Sequence, residues 1–317
     1  MLPTPSFHHL HLNSVNPDAA IDFYVKQFTS TSKANWGGLP ALNVRKAPND
    51  AMLLFTKVDT APATAPQSAI WHFGWYMTDV RKSLDAYKNR PEVKLLPLYT
   101  TDEGGSVLIN SDTWPGVGGM LGLTKAQIAE ARAGNVKAKG GPGFAYMQGP
   151  DQALIEYMGD FSAERFNHVH MYQTDPFCAQ LWYQKHLNAP VMPGRASPTP
   201  MTQSNCKVPR GLDRTWPALN QEGMFRTPRA AVIFGDVALT WYAPQCASAG
   251  DQPLVGTRGQ LYDHIAFGVA DLDAWIAKLK GESVTFFDGP YTLGDTRAVM
   301  IEGPSREALE LVEVKRT

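Results

Sequence analysis

The chain has 317 residues, enough for about two domains with a sizeable core. Hydrophobic residues make up 44%, charged residues 19%, and the formal net charge is −1, as in ordinary globular proteins. That charge creates no long-range field for nucleic acid or an anionic membrane, and no apolar stretch approaches the roughly 20 residues that span a bilayer. We therefore expect a small-molecule substrate, no nucleic-acid or membrane partner, and a monomer or homodimer.

The chain opens with a predicted strand in which alternation places His9 and His11 on one face and His8 on the other. An Asn-Pro pair after this strand indicates the start of an amphipathic helix. Two further strands are predicted, at 41–44 and 51–57. Together these elements form one module.

The same pattern occurs four times along the chain. A strand histidine is followed seven residues later by Asp or Asn, which are helix-capping residues. The four pairs are His9–Asn16, His72–Asp79, His168–Asp175 and His264–Asp271. An internal repeat of this kind determines the architecture, and here it predicts four similar strand–helix modules.

The repeat assigns the modules to residues 7–60, 69–160, 165–245 and 260–317. We group the first two into a domain of residues 1–160 and the last two into a domain of residues 161–317. Two insertions interrupt the modules. The first, at about 101–141, contains a predicted helix at 125–132. The second, at 192–228, is rich in Pro, Ser, Thr and Gly, which predicts a lid or a long surface loop.

Candidate metal ligands follow from the repeat. Each module supplies a first-strand histidine, and the second and fourth modules also supply a last-strand glutamate. Counting five residues from the preceding turn reaches Glu156 and Glu310 in those modules, but Phe55 and Trp241 in the other two. Pairing modules one with two and three with four, or crossing them as one with four and two with three, thus gives each cup two histidines, one glutamate and an aromatic fourth position, from the set His9, His72, Glu156, His168, His264 and Glu310.

Imidazole and carboxylate ligands together suit Fe(II), Mn(II), Zn(II), Co(II) or Ni(II), and three protein ligands leave a position open for substrate. A single strand histidine is more often a core residue than a ligand, but four at one repeat position favour metal binding.

Three further residues are candidates for catalysis. His11 and His170 lie two residues beyond a proposed ligand on the same strand face, so they are either acid–base groups or a polar lining. Tyr146 is placed to donate a hydrogen bond to a substrate oxyanion, or else it is a core residue.

Cysteine usage leaves the compartment open. Cys178 is predicted to lie in the core of the third helix, whereas Cys206 and Cys246 lie in loop-like sequence and could pair. No secretory signal is present. A cytoplasmic location, or a secreted or periplasmic one with a trimmed signal peptide, both remain open.

The segments Asn167-His-Val-His170 with Asp175, and Gly149-Pro-Asp-Gln-Ala-Leu-Ile-Glu156, resemble the vicinal oxygen chelate superfamily. That superfamily includes glyoxalase I, bleomycin-resistance proteins, fosfomycin-resistance transferases and extradiol dioxygenases. The resemblance implies an α+β protein of four βαβββ modules, forming two tandem domains with cup-shaped mixed sheets around a divalent metal. The six histidines and glutamates above match the metal-ligand positions of the superfamily.

The resemblance further implies a divalent-metal-dependent enzyme that binds its substrate through two neighbouring oxygens. Four modules in one chain and a His-His-Glu set resemble extradiol dioxygenases, so dioxygenase chemistry with Fe(II) or Mn(II) is the first expectation. Isomerase or lyase chemistry is the second. The alternative is a metal-free, ligand-sequestering protein of the bleomycin-resistance type.

Overall fold

A computed structural model describes residues 2–45, 51–64, 66, 68–96, 98–100, 105–107, 133–134, 144–159, 161–194, 200–207, 229–242 and 254–314. The predicted helix at 125–132 and most of the insertion at 192–228 lie outside this range. None of the helices in the described part of the chain has the length and apolar character needed to cross a bilayer.

Each of the four helices predicted from the repeat is present: α1 (Pro17–Gln27), α2 (Val80–Lys88), α3 (Pro176–Leu187) and α4 (Leu272–Gly281). The side chains of Asn16, Asp79 and Asp271 each accept a hydrogen bond from the backbone amide three residues ahead, as an N-cap does. Asp175 occupies the same position before α3 without a side-chain capping bond. The helix starts read from the repeat are therefore confirmed.

The strands of the first and fourth modules are β1 (Ser6–Ser14), β2 (Ser32–Trp36), β3 (Leu39–Asn43), β4 (Met52–Lys57), β14 (Tyr262–Val269), β15 (Phe286–Leu293), β16 (Thr296–Glu302) and β17 (Ala308–Glu313). Those of the second and third are β5 (Ile70–Tyr76), β6 (Lys94–Leu96), β7 (Leu98–Thr100), β8 (Gly105–Val107), β9 (Phe144–Gln148), β10 (Leu154–Met158), β11 (Arg165–Tyr172), β12 (Arg229–Phe234) and β13 (Val237–Tyr242).

Two mixed sheets contain most of these strands. The eight-stranded sheet has the order β15–β16–β17–β14–β1–β4–β3–β2, and the seven-stranded sheet has the order β12–β13–β11–β5–β10–β9–β6. Modules one and four therefore share one sheet, and modules two and three share the other. The sequential domains 1–160 and 161–317 do not coincide with the sheets, because each sheet takes one module from either side of that boundary.

The two sheets are joined in the same way at their centres. In the first, β1 runs antiparallel to β14 with His11 opposite His264. In the second, β11 runs antiparallel to β5 with His170 opposite His72. Each pair also carries two register shifts at matching places. The histidines of one sheet thus have positional equivalents in the other.

Aromatic residues hold the two sheets together through a shared core. Phe7 packs on Phe166 with ring centroids 5.5 Å apart, and Phe234 packs on Phe267 at 4.3 Å. One continuous cluster of buried side chains includes residues of both sheets and of all four helices. The opposite face of each sheet carries the histidines. We call that face cup 1 in the eight-stranded sheet and cup 2 in the seven-stranded sheet.

One disulfide joins Cys178 in α3 to Cys206 in the second insertion. The sequence leaves the pairing of Cys206 with Cys246 open, and the structure pairs Cys206 with Cys178 instead. Cys178 is predicted to be a core residue of the third helix, but it is only partly buried, with its Cα 4.9 Å from that of Cys206. Sequence alone does not show which loop returns to this helix.

Candidate metal centres in the two cups

Cup 1 brings together residues from three neighbouring strands. His9 comes from β1, His264 from β14 and Glu310 from β17. Glu310 Oε2 lies 3.5 Å from His9 Nε2 and 3.7 Å from His264 Nε2. The side chains of His9 and Glu310 are 0% and 2% exposed, so this cluster is shielded from bulk water.

The donor set of cup 1 fits a divalent cation. His9 Nε2 and Glu310 Oε2 are buried and have no hydrogen-bond partner among the residues that the structure describes. Leaving such groups unpaired is costly, and a cation between them would remove that cost. Burial and the neighbouring histidines hold the pKa of His9 well below its usual range, so its imidazole is neutral, as a metal ligand must be.

Both histidines of this set are held at their other ring nitrogen. His8 Nδ1 lies 2.8 Å from His9 Nδ1, and Asp263 Oδ1 lies 2.7 Å from His264 Nδ1. Burial opposes protonation of His264, but its hydrogen bond to Asp263 and the nearby carboxylate of Glu310 raise its pKa to about 9, so a metal ion that binds here would displace a proton from its ring.

His8 was expected on the face opposite His9. The register shift between Phe7 and His9 is a β-bulge, which brings His8 to the same side.

His11 completes the histidines of cup 1 without sharing the glutamate. Its Nε2 lies 2.7 Å from Thr56 Oγ1, and its ring stacks on His264 with centroids 4.4 Å apart. Burial, with a further effect from His264, lowers the pKa of His11 to about 3. His11 is therefore neutral at ordinary pH.

Tyr291 was not anticipated from the sequence, because it lies on β15, outside the repeated first and last strands. Its hydroxyl donates a hydrogen bond to Glu310 Oε1. Burial and the Glu310 carboxylate raise the pKa of Tyr291 above its usual value, so it stays a donor.

A pocket of about 630 Å³ opens over cup 1. Its polar lining comprises His11, Asn13, Thr56, Arg258, Asp263, His264, Asp288 and Glu310, and its apolar lining includes Leu39, Leu293 and Met300. Arg258 contacts both Asp263, at 3.2 Å, and Asp288, at 3.1 Å. A small molecule in this pocket would meet polar groups at the cluster and apolar walls on the sides.

Cup 2 gathers one more histidine around its glutamate. Glu156 Oε2 lies 2.9 Å from His72 Nε2, 3.7 Å from His168 Nε2 and 3.8 Å from His170 Nδ1. Tyr146 donates to the same oxygen at 3.0 Å. Potential ligand atoms of the three histidines and the glutamate all lie within 4.8 Å of one another.

Electrostatics in cup 2 also favour neutral histidine beside ionised glutamate. Burial lowers the pKa of His168 to about 4, although the Glu156 carboxylate acts in the other direction. Burial raises the pKa of Glu156, but hydrogen bonds from His72 and Tyr146 and the nearby His168 outweigh it and lower the pKa overall.

Gly74 makes room for His168. A Cβ at position 74 would lie 2.4 Å from His168 Cε1, 2.7 Å from His168 Nε2 and 2.6 Å from the backbone oxygen of Glu156. The His168 ring therefore crosses β5 at a point where only glycine fits. In cup 1 the equivalent position, opposite His9, holds Ala266.

Glyoxalase I from Zea mays has a similar structure, with a TM-score of 0.59 at 15% identity over 98% of this chain and 92% of its own. A glutamate-to-glutamine mutant of the same maize enzyme gives 0.58 at 14% identity over 98% and 94%. A proposed dioxygenase from Bacillus subtilis subsp. subtilis str. 168 gives 0.51 at 10% identity over 99% and 86%. No protein-family model and no curated protein matches the sequence.

The chain has the vicinal oxygen chelate fold. Within this fold, the crossed pairing of modules distributes the six predicted ligands as two sets of three, His9, His264 and Glu310 in cup 1 and His72, His168 and Glu156 in cup 2. The candidate catalytic residues follow the same division, with His11 in cup 1 and His170 and Tyr146 in cup 2.

The strand register observed in the two sheets corrects the predicted fourth position of each cup. Glu310 lies two residues beyond the strand partner of His264, and the same count reaches Leu54 beside His9 and Thr240 beside His168. Phe55 and Trp241 are buried on the core face instead. Counting from the turn failed because turn lengths differ, and an error of one residue reverses the strand face.

Proposed function

We propose that the protein is a divalent-metal-dependent enzyme whose substrate binds in cup 1 through two neighbouring oxygen atoms. The observation that supports this most is the unpaired, buried combination of His9 Nε2 and Glu310 Oε2, next to a pocket of about 630 Å³. His9, His264 and Glu310 would hold the ion. Three protein ligands would leave positions for a chelating substrate.

A bound divalent ion would supply Lewis-acid stabilisation of an enolate- or catecholate-like anion. The surrounding residues provide proton transfer and orientation. His11 lines the pocket, and its position would let Nε2, the atom now hydrogen-bonded to Thr56, take a proton from a substrate hydroxyl. Tyr291 holds the Glu310 carboxylate, and the guanidinium of Arg258, which lines the pocket, would donate to the polar groups of the substrate.

Among the possible reactions we favour dioxygenase-type chemistry with Fe(II) or Mn(II), because two histidines and one carboxylate leave open positions. Isomerase or lyase chemistry with Zn(II), Ni(II) or Co(II) is the second choice. In cup 2, His170 and Tyr146 would have the corresponding acid–base roles, with His72, His168 and Glu156 as ligands.

The test is the metal content of the full chain, purified anaerobically without chelator or His-tag, for the wild type and for Glu310→Ala and His264→Ala. We expect each substitution to remove about one ion per chain. Oxygen uptake with a panel of catechols would then separate dioxygenase chemistry from isomerase or lyase chemistry. Unchanged stoichiometry in both variants would rule out the assignment of cup 1.

A second candidate function, ligand sequestration without metal, is favoured by the aromatic rings of cup 2. Trp71 stacks on Tyr172 at 5.1 Å and meets Tyr242 edge-on at 5.9 Å. Aromatic faces of this kind bind flat ligands by stacking. Tight binding of catechol, but not of trans-1,2-cyclohexanediol, by chelator-treated protein would support this alternative.

A further inference from the structure

We infer that the two cups differ in metal affinity, and that His8 and Asp263 are positioning residues that make cup 1 the stronger site. This inference rests on the proposed metal-dependent function. It concerns two residues that precede the candidate ligands His9 and His264 in sequence and contact the ring nitrogen of each that faces away from Glu310. Both residues lie at the β-bulges of the central strand pair.

Asp263 orients His264. Its Oδ1 lies 2.7 Å from His264 Nδ1, which directs Nε2 of the same ring towards Glu310. The carboxylate is itself anchored, because Gly259 N donates to its Oδ2 at 2.6 Å and Arg258 Nε lies 3.2 Å from its Oδ1. A carboxylate that holds the second nitrogen of a ligand histidine fixes its tautomer and strengthens it as a ligand.

His8 has the same role towards His9. Their Nδ1 atoms are 2.8 Å apart, so one ring must donate and the other accept. When His9 donates, its Nε2 carries the lone pair, and this atom faces Glu310 Oε2 at 3.5 Å. The His8 ring packs edge-on against Trp36 at 4.5 Å, which keeps it in place.

Cup 2 has different residues at the equivalent bulges. Trp71 takes the place of Asp263, and Asn167 takes the place of His8. An indole has no carboxylate to offer, and within the described part of the chain His72 Nδ1 is buried without a hydrogen-bond partner. The opposite nitrogen of His72 is already bound by Glu156 at 2.9 Å.

A cation entering cup 2 would therefore have to replace the hydrogen bond between His72 and Glu156. Its ligand His72 would also have no hydrogen-bond partner, among the described residues, at the ring nitrogen that faces away from the ion. In cup 1 the corresponding contacts to Glu310 are longer, at 3.5 and 3.7 Å, and are open to a cation. Loss of an outer partner commonly weakens metal binding by about 10- to 100-fold. We expect a difference of this order between the cups.

The experiment is a Co(II) titration of the chelator-stripped full chain, followed by calorimetry and by the visible absorption of the bound ion. We expect Glu310→Gln to remove the tight binding step and Glu156→Gln to leave it unchanged. Asp263→Asn and, separately, His8→Gln should weaken the tight step by about 10- to 100-fold and alter its absorption spectrum. The matched control is Trp71→Phe at the equivalent bulge of cup 2, which should leave the tight step unaltered.

Equal affinities in the wild type, or a tight step that survives both Asp263→Asn and His8→Gln, would overturn the inference while leaving the proposed function intact. A tight step that is lost in Glu156→Gln would reverse the order of the cups and overturn it as well. No Co(II) binding to folded wild-type protein would overturn the proposed function and, with it, this inference.

Discussion

Substitution of Gly74 by alanine tests whether the His168 ring crosses strand β5 as described. The new Cβ would lie 2.4 Å from His168 Cε1 and 2.6 Å from the backbone oxygen of Glu156. Rotation of the imidazole could relieve the first contact but would remove His168 from Glu156. The second contact is with backbone, so it is relieved only if β5 and β10 move apart. These strands are paired directly at Gly74 and Glu156.

Overpacking of this kind costs about 1 to 3 kcal/mol in well-packed interiors. Because one of the two clashes involves backbone, we expect Gly74→Ala to lower the free energy of unfolding by about 2 to 3 kcal/mol. Urea denaturation measures this change as a shift in midpoint at constant slope. Metal binding assigned to cup 2 should be lost at the same time, while binding in cup 1 should persist.

The matched control is Ala266→Gly in cup 1, at the equivalent strand position. It adds no atoms, so its cost should be limited to about 0.5 to 1 kcal/mol from backbone entropy, plus the loss of one buried methyl. A Gly74→Ala protein that unfolds within about 0.5 kcal/mol of the wild type would refute the described position of His168.

Three further predictions concern other parts of the chain. Burial raises the pKa of Glu307 from 4.5 to about 7, so its contribution to stability is complete below pH 4.5 and is lost as the pH rises through 7. The free energy of unfolding of the wild type should therefore fall by about 3 kcal/mol between pH 4.5 and pH 8 because of this group. Glu307→Gln should remove that part of the pH dependence, as measured by urea denaturation. Tyr291→Phe removes the donor to Glu310 and should cost about 1.5 to 3 kcal/mol of stability and weaken metal binding in cup 1, as measured by denaturation and calorimetry. Reduction of the bond between Cys178 and Cys206 opens a loop of 28 residues and should cost about 3 to 4 kcal/mol, and non-reducing peptide mapping should recover these two cysteines in one linked peptide.

Each of these predictions has a clear contrary result. A pH dependence that is unchanged in Glu307→Gln would show that another group titrates in this range. Unaltered stability and metal affinity in Tyr291→Phe would show that Glu310 does not depend on its phenol partner. A linked peptide containing Cys246 would contradict the disulfide described here.

The architecture was predictable because one local pattern is repeated. A strand histidine, a capping Asn or Asp and an amphipathic helix each depend on a few neighbouring residues, so four copies could be read directly from the sequence. The pairing of the copies could not be read in this way. The modules are similar, and whether β1 joins β14 or β5 depends on contacts between distant parts of the chain.

The candidate site, like the fold, was predictable only where it depends on the repeated pattern. Residues fixed by strand position, such as His264 and Glu310, come together in cup 1 as expected. Residues that act through a bulge or an outer strand were missed, because Asp263 has His8, Trp71 and Asn167 at the corresponding positions and Tyr291 lies on β15, outside the repeated first and last strands. Bulges depend on interstrand packing, and no short-range sequence signal marks them.

The fourth position of each cup shows why register is difficult to read from a sequence. In the third module a two-residue turn separates Phe234 from Val237, whereas five residues separate Gln148 from Leu154 in the second. A single offset therefore cannot serve both modules. It selected the core residue Trp241 instead of Thr240, which lies on the cup face.

Anomalous X-ray scattering tests the central claim most directly. Crystals of the full chain soaked with Mn(II) or Co(II) would be measured near the absorption edge of the ion. We predict an anomalous peak in cup 1, within about 2.0 to 2.3 Å of His9 Nε2, His264 Nε2 and Glu310 Oε2. The absence of a peak at these three atoms, at ion concentrations that saturate binding in solution, would contradict the assignment of cup 1 as a metal centre.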